Sequence, residues 1–404
     1  MTIARNGWGH CEHPSLLAVA QLDDLVLRNV SEGIRQRRLA PEVHTALQRV
    51  GVYQMLVPSD AGGDDVPYPV ALRVIERLAR VDGSVAWCAV IGAATASFGA
   101  SLPPGVAEAT MWRDPNEVSA AVFIPNGRAT PVDGGYRVSG RWPFASGCSD
   151  AAWFVGQCLI ASDGVDTGTG PAGGDPASTP THRMMAMPMD ELRMFDTWHA
   201  AGLRATGSHD VEAADVFVPS ERAFVLGAPD PRRQGPLTRF PFRALLTSSL
   251  AAVSAGLARA AADTLADTLA QRAERLERGV DGLLGSAVLE LAVLEASARS
   301  ARTALFSHVD ALWDAVVAGE EELEVGSIEV QLASRHAVAQ AADAATRAHH
   351  LGGAAALHEE HPLQRAARDA QAVAQHGLFG LAPHEALGRT LVSMRAARRE
   401  AIAA

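Results

Sequence analysis

Two short segments hold the residue types that can do chemistry. The first is Gly140-Arg141-Trp142-Pro143-Phe144-Ala145-Ser146-Gly147. Aromatic rings flank a proline there, and a small hydroxyl sits between Ala and Gly, so a flat apolar surface and a hydrogen-bonding group share one tight stretch. That combination suits a planar heteroaromatic ligand. Taken alone, it also reads as a strand end whose aromatics fill a core. The second segment is Pro362-Leu363-Gln364-Arg365-Ala366-Ala367-Arg368-Asp369, running on to His376. On a helix, Arg365 and Asp369 stand at i, i+4, and His376 falls two turns beyond Asp369 on nearly the same face. An Ala/Val stretch thus delivers one imidazole, a group that titrates near neutrality, to a buried end. Taken alone, it also reads as a core histidine.

Other constellations offer less. Gly168-Thr169-Gly170-Pro171-Ala172-Gly173 matches GxGxxG, but it lies in a polar tract, 162–181, that opens no helix. A dinucleotide-binding turn needs the helix, whose N-terminal amides face the pyrophosphate, so the tract reads as a loop between strands. His358-Glu359-Glu360-His361 precedes Pro362 directly and reads as an interhelical loop, and no metal is expected there. No lysine occurs, so all 35 basic residues are arginine. This excludes a Schiff-base lysine and a P-loop lysine.

Positioning these groups takes a large framework, which 404 residues with 48% hydrophobic and 20% charged content supply. The net charge of −11 argues against nucleic acid and anionic membrane surfaces as partners. Cys11, Cys88, Cys148 and Cys158 form no CxxC pair, and the N-terminus carries no apolar leader; both features predict free thiols in a reducing cytoplasm. The uncharged stretch 84–105 is rich in small residues and predicts a buried helix rather than a membrane span.

Three regions follow from the patterning. Residues 1–115 repeat apolar positions at helical spacing, as in Leu16, Val19, Leu22, Leu25 and Val26, with Pro41 at a helix start. Residues 116–225 hold short β-branched and aromatic runs, at 118–124, 135–140, 152–155 and 211–218, with a turn at Asp133-Gly134-Gly135. Six to eight strands in a small barrel or sandwich are expected. Residues 226–404 return to Ala/Leu helices at 245–272, 282–317, 327–351 and 362–379, the pattern of an antiparallel four-helix bundle. The fold class is α+β and mostly α.

In this order the segments resemble the acyl-CoA dehydrogenase superfamily, and within it the flavin-dependent monooxygenase branch, which holds the oxygenase components of two-component aromatic hydroxylases and dibenzothiophene-type monooxygenases. The resemblance rests on Arg80-Val81-Asp82-Gly83-Ser84-Val85-Ala86-Trp87, on 134–147, on Asp196-Thr197-Trp198 with 202–208, on Val216-Phe217-Val218-Pro219, on Leu351-Gly352-Gly353, and on 362–376. It implies an enzyme that takes reduced flavin (FMNH2 or FADH2) from a separate reductase. With O2, through a C4a-hydroperoxyflavin, such an enzyme hydroxylates a small aromatic, polyketide-like or amine substrate.

Residue by residue, the resemblance implies that Phe144, Ala145 and Ser146 border the flavin ring, with the Ser146 hydroxyl near its reactive nitrogen and Trp142 supporting that wall. It implies that Gly352 and Gly353 approach the cofactor of a neighbouring subunit in a homotetramer. Arg204, Thr206 and Ser208 lie on a further family motif. Members with a C-terminal catalytic glutamate carry it beyond the Arg-Asp pair, and counting eight from Asp369 reaches Gly377. His376 stands beside that position, and the hydroxylase branch uses a histidine there to deprotonate or orient the substrate. Cys88 to Ser101, small and apolar, implies a bulky, weakly polar substrate. Two alternatives stay open: a flavin dehydrogenase or oxidase, and a non-catalytic assembly or ligand-binding bundle.

Overall fold

The computed structural model describes residues 13–161, 182–276, 278–282 and 285–403. The tract 162–181 with its GxGxxG match, and Cys11, lie outside the described residues. The chain divides into two compact units.

The first unit comprises Met1–Ala71, Trp87–Ala200 and Arg204–Arg239. Its helices are α1 (Pro14–Ala20), α2 (Asp23–Gln36), α3 (Pro41–Arg49), the start of α4 (Tyr68–Ala79), most of α5 (Gly83–Ser97) and α6 (Val106–Ala109). Pro14 and Pro41 occupy first turns, where the missing N–H has no helical partner to lose. The stretch Gly83–Ser101 is long and apolar enough to cross a membrane, yet it is 89% buried inside the protein. Its small residues are taken up by close packing: a Cβ on Gly92 would lie 2.5 Å from the Tyr53 ring, and one on Gly99 would lie 2.4 Å from the Trp112 ring.

Strands β1 (Val118–Val132), β2 (Gly135–Ala145), β3 (Ala151–Ile160), β4 (His182–Pro188), β5 (Arg193–Phe195), β6 (His209–Pro219) and β7 (Ala223–Phe224) form one sheet in the order β5-β6-β2-β1-β3-β4-β7. Seven strands among the described residues fall within the expected range. The hairpin turns at Asp133-Gly134, with Gly134 at φ +75°, as the sequence predicts. The β1–β3 pair is parallel and the others are antiparallel. Side chains from β1, β2, β3, β4 and β6 reach one buried cluster around Trp142 and Phe154, so the sheet curls over a single core. Gly127 and Gly156 make room for the Trp142 ring, since a Cβ on either would lie 2.3 Å or 2.8 Å from it.

The second unit comprises Leu72–Ala86, Ala201–Leu203 and Phe240–Ala404. After the short α7 (Pro236–Arg239), it carries α8 (Phe242–Ala273), α9 (Gly285–Ala318), α10 (Glu324–Gly352), α11 (Pro362–Ala374) and α12 (Leu381–Ala403). Helix α8 is buried around most of its circumference for much of its length, which fits its nearly unbroken run of Ala, Leu, Ser and Val. Helices α9, α10 and α11 pack on it, and α10 packs on both α9 and α11. The end of α4 joins this unit: a Cβ on Gly256 would lie 2.4 Å from the Glu76 carbonyl oxygen, and Arg73 pairs with Asp310 at 3.0 Å.

One expected element is corrected. The helix predicted over 362–379 ends at Ala374. His376 is extended (φ −63°, ψ 139°), Gly377–Phe379 makes a single 3-10 turn, and α12 follows as a fifth long helix. Arg335 holds the turn beyond the break by donating to the Leu378 carbonyl at 2.5 Å and the Gly380 carbonyl at 3.3 Å.

Candidate active site

In the first unit, the site begins with an irregularity in β2. Trp142 pairs with Val211 and Ala145 with His209, so β2 carries one more residue than β6 across the interval. Such a bulge re-aims a side chain. Here it throws Phe144 into the left-handed region at φ +63°, where its ring is 62% exposed. Holding a non-glycine residue there costs on the order of 1 kcal/mol or more.

Ser146 follows directly, only 7% exposed. Its amide donates to the Phe144 carbonyl at 2.9 Å, and the amide of Gly147 donates to the Thr206 carbonyl at 2.8 Å, which ties this turn to the 204–208 loop. The Trp87 indole donates to Ser146 Oγ at 2.9 Å. Ser146 Oγ lies 2.7 Å from Ser208 Oγ, and Ser208 Oγ lies 2.6 Å from Thr206 Oγ1. One indole N–H and three hydroxyls therefore form a continuous buried chain.

Beside the chain, Trp198 meets Phe144 edge to face, with ring centroids 6.4 Å apart. Its backbone is held at both ends. His209 Nδ1 accepts from the Thr197 and Trp198 amides, each at 3.2 Å, and Arg37 donates to the Trp198 carbonyl at 3.1 Å while gripping Asp196. Burial lowers the pKa of His209, which keeps Nδ1 free of a proton and able to accept.

An exposed Phe144 ring backed by the half-buried Trp198, beside a buried, oriented hydroxyl, fits a flat heteroaromatic ring with a polar edge, which is the chemistry of a flavin. Trp142 and Ala145, expected along the same wall, are both fully buried. Trp142 donates to the Gln157 carbonyl at 2.9 Å inside the sheet core and lies behind the wall. Cys88, Cys148 and Cys158 are buried free thiols, and burial pushes Cys148 and Cys158 up to about 12, so neither offers a thiolate.

In the second unit, His376 is partly buried and caps the turn after α11. Its Nδ1 accepts the Leu378 amide at 3.3 Å, which places the proton of the neutral ring on Nε2. Burial lowers its pKa to about 4. Arg335, through the Leu378 carbonyl, fixes the turn that carries this cap. Asp369 does not share a helix face with His376. Its Oδ1 accepts the Leu203 amide at 2.6 Å, and Leu203 sits at φ +51°. Burial first, then the Asp82 carboxylate, push Asp369 up to about 7 against the Leu203 amide, Arg365 and Arg368. Asp82 in turn caps α5 by accepting the Val85 amide at 3.0 Å and lies 3.5 Å from Arg365.

The two glycines differ. Gly352 is buried, and a Cβ there would lie 2.7 Å from Ala356 and 2.8 Å from Leu363. Its smallness serves packing within the chain. Gly353 is exposed at φ 72°, ψ −160°, a conformation that only glycine holds comfortably. Arg272 steadies this end of α10 by donating to the Leu351 and Gly352 carbonyls at 3.2 and 2.6 Å.

Sequence reasoning gave no role to Trp87, Trp198, His209 or Arg335. The first two lie on motifs it had singled out, and an indole near the start of an otherwise small-residue run was the available signal for Trp87. Among the described residues, no three His, Cys, Asp or Glu side chains gather to hold a metal ion.

Comparison with known proteins is consistent with this geometry. Residues 248–380 match the family described as Acyl-CoA dehydrogenase, C-terminal domain. Indole-3-acetate monooxygenase of Pseudomonas putida is 33% identical over 86% of this chain and 85% of its own. The flavin-dependent monooxygenase oxygenase subunit HsaA of Rhodococcus jostii is 28% identical, covering 84% of this chain and 88% of its own. The solved structure of XiaF from Streptomyces sp., in complex with FADH2 and glycerol, superposes with a TM-score of 0.82 at 24% identity, over 94% of this chain and 95% of that one. The chain belongs to the flavin-dependent monooxygenases of acyl-CoA dehydrogenase fold, as the oxygenase component that works with a separate flavin reductase.

Proposed function

We propose that Phe144 and Ser146 seat the flavin ring, and that His376 orients a small aromatic substrate bearing an acceptor oxygen, phenolic or carboxylate, for hydroxylation. The observation that carries this reading is the Ser146 hydroxyl, buried beside the exposed Phe144 ring and fixed by the Trp87 indole. Reduced flavin supplies the electrons that activate O2 for transfer of one oxygen atom. Ser146 provides the hydrogen bond at the ring's reactive nitrogen, and the Phe144–Trp198 corner supports the ring and keeps water from it.

The role of His376 follows from its proton. With Nδ1 capped by the Leu378 amide, the ring is a donor through Nε2. A group with a pKa of about 4 is a poor base for a phenol, whose pKa is about 10. His376 therefore holds a substrate oxygen in place rather than removing its proton. A likeness to indole-3-acetate monooxygenase supports an aromatic substrate that carries a carboxylate.

Gly353, exposed and with only the Arg272 guanidinium near the place a Cβ would take, supports close approach by a neighbouring subunit's cofactor in a homotetramer, and the free cysteines support action in a reducing cytoplasm. The test is a reductase-coupled assay with FMN and with FAD, offering indole-3-acetate and simple phenols, on the wild type and on His376→Ala and Ser146→Ala. Hydroxylated product from the wild type, with loss in both variants, is expected; unchanged product from either variant would remove that residue from the mechanism.

A further inference from the structure

The hydroxyl contacts of the Trp87–Ser146–Ser208–Thr206 chain can run in two directions. An indole N–H can only donate, so one acceptor position of Ser146 Oγ is always filled by Trp87. The two remaining contacts, Ser146 to Ser208 at 2.7 Å and Ser208 to Thr206 at 2.6 Å, can run in either direction. In one, Ser146 donates to Ser208 and Ser208 to Thr206, and Ser146 turns a lone pair toward a ligand. In the other, Thr206 donates to Ser208 and Ser208 to Ser146, and Ser146 turns its O–H toward the ligand. A concerted rotation of hydroxyls interconverts them with both contacts kept.

The two states match the two redox forms of a flavin. The reactive ring nitrogen carries a hydrogen when the flavin is reduced and only a lone pair when it is oxidised. We propose that Ser208 is a positioning residue that lets Ser146 accept from the reduced flavin, so that the Trp87–Ser146–Ser208–Thr206 chain favours the reduced form. This rests on the reading that Ser146 meets that nitrogen. In the accepting state the Ser146 proton must point at Ser208. Ser146 is buried, so without the Ser208 hydroxyl that proton has no acceptor there and the accepting state is penalised. The donating state loses a bond into Ser146 but leaves no proton stranded on it.

The experiment measures equilibrium binding, by anaerobic fluorescence titration, of dithionite-reduced and of oxidised FMN and FAD to the full-length wild type, Ser146→Ala, Ser208→Ala and Ser208→Thr. Melting temperatures are recorded alongside. Ser208→Ala is expected to weaken reduced-flavin binding about tenfold while changing oxidised-flavin binding less than about twofold. Ser208→Thr, which keeps the hydroxyl, retains the wild-type ratio. Equal weakening of both redox forms in Ser208→Ala, including through a general loss of structure, would overturn the proposal, as would an alanine-like ratio in Ser208→Thr. If Ser146→Ala binds both forms as the wild type does, the underlying reading of Ser146 fails; if Ser146→Ala loses reduced flavin while Ser208→Ala does not, only the role of the chain fails.

Discussion

Replacing His376 by glutamine and by alanine separates two roles that the residue type alone leaves open. Proton transfer from a phenol with a pKa of about 10 to an imidazole with a pKa of about 4 is uphill by about six units, or about 8 kcal/mol. A base in that position would work against its own environment. As a donor through Nε2, the same ring holds a substrate oxygen by a hydrogen bond that contributes about 1.5–3 kcal/mol when the oxygen is charged. Loss of that bond in His376→Ala lowers turnover by about 10- to 100-fold. Glutamine presents an amide N–H at similar reach, so His376→Gln keeps turnover within about fivefold of the wild type. The assay is single-turnover product formation with pre-reduced flavin, from pH 5.5 to 8. Burial has already removed the proton of His376 across that range, so the wild-type profile has no acid limb near 6.5 that belongs to it. Glutamine as inactive as alanine, with a wild-type limb near 6.5 that both variants lose, would refute the donor role.

Three further outcomes follow from the packing. The fold raises the Asp369 carboxyl from 3.8 to about 7, so the native state holds its proton more tightly than the unfolded chain, and stability is lost as pH rises through 7. Asp369→Asn keeps an acceptor for the Leu203 amide, and its stability relative to wild type should rise by about 3 kcal/mol between pH 5 and pH 8 in urea unfolding; a variant that falls further behind as pH rises would contradict this. Phe144→Gly relieves the φ of +63° but removes the ring, so the melting temperature should hold or rise while reduced-flavin affinity falls about tenfold or more; unchanged affinity would exclude Phe144 from the site. Gly127→Ala drives a Cβ to 2.3 Å from the Trp142 ring and 2.4 Å from Cys158 Sγ and should cost about 1–3 kcal/mol, which an unaltered melting curve would disprove.

Much of the framework is legible in the chain because it is written locally. The Asp133-Gly134 turn, the β-branched runs around it and the long Ala/Leu helices each announce themselves within a few residues. The motif carrying Phe144 and Ser146 is visible for the same reason. What escapes is set at long range. The burial of the Trp142 ring depends on Gly127 and Gly156, on other strands, which leave room for it. The helix predicted through Phe379 stops at Ala374, shortly before Gly377 and Gly380, and the turn that follows is held by Arg335 on α10, more than forty positions earlier in the chain. Trp87 pairs with a serine 59 positions away, and no local pattern anticipates that bond. The bulge that turns Phe144 outward depends on the register of β2 against β6, which neither strand specifies alone.

The most direct test of the account mixes the anaerobic protein, loaded with reduced FMN or reduced FAD, with oxygenated buffer and follows absorbance in a stopped-flow instrument. The account predicts a transient distinct from both reduced and oxidised flavin that decays to oxidised flavin, and that is shortened or lost in Ser146→Ala. Oxidation of the bound flavin at the rate of flavin free in solution, with the same trace for wild type and Ser146→Ala, would contradict it.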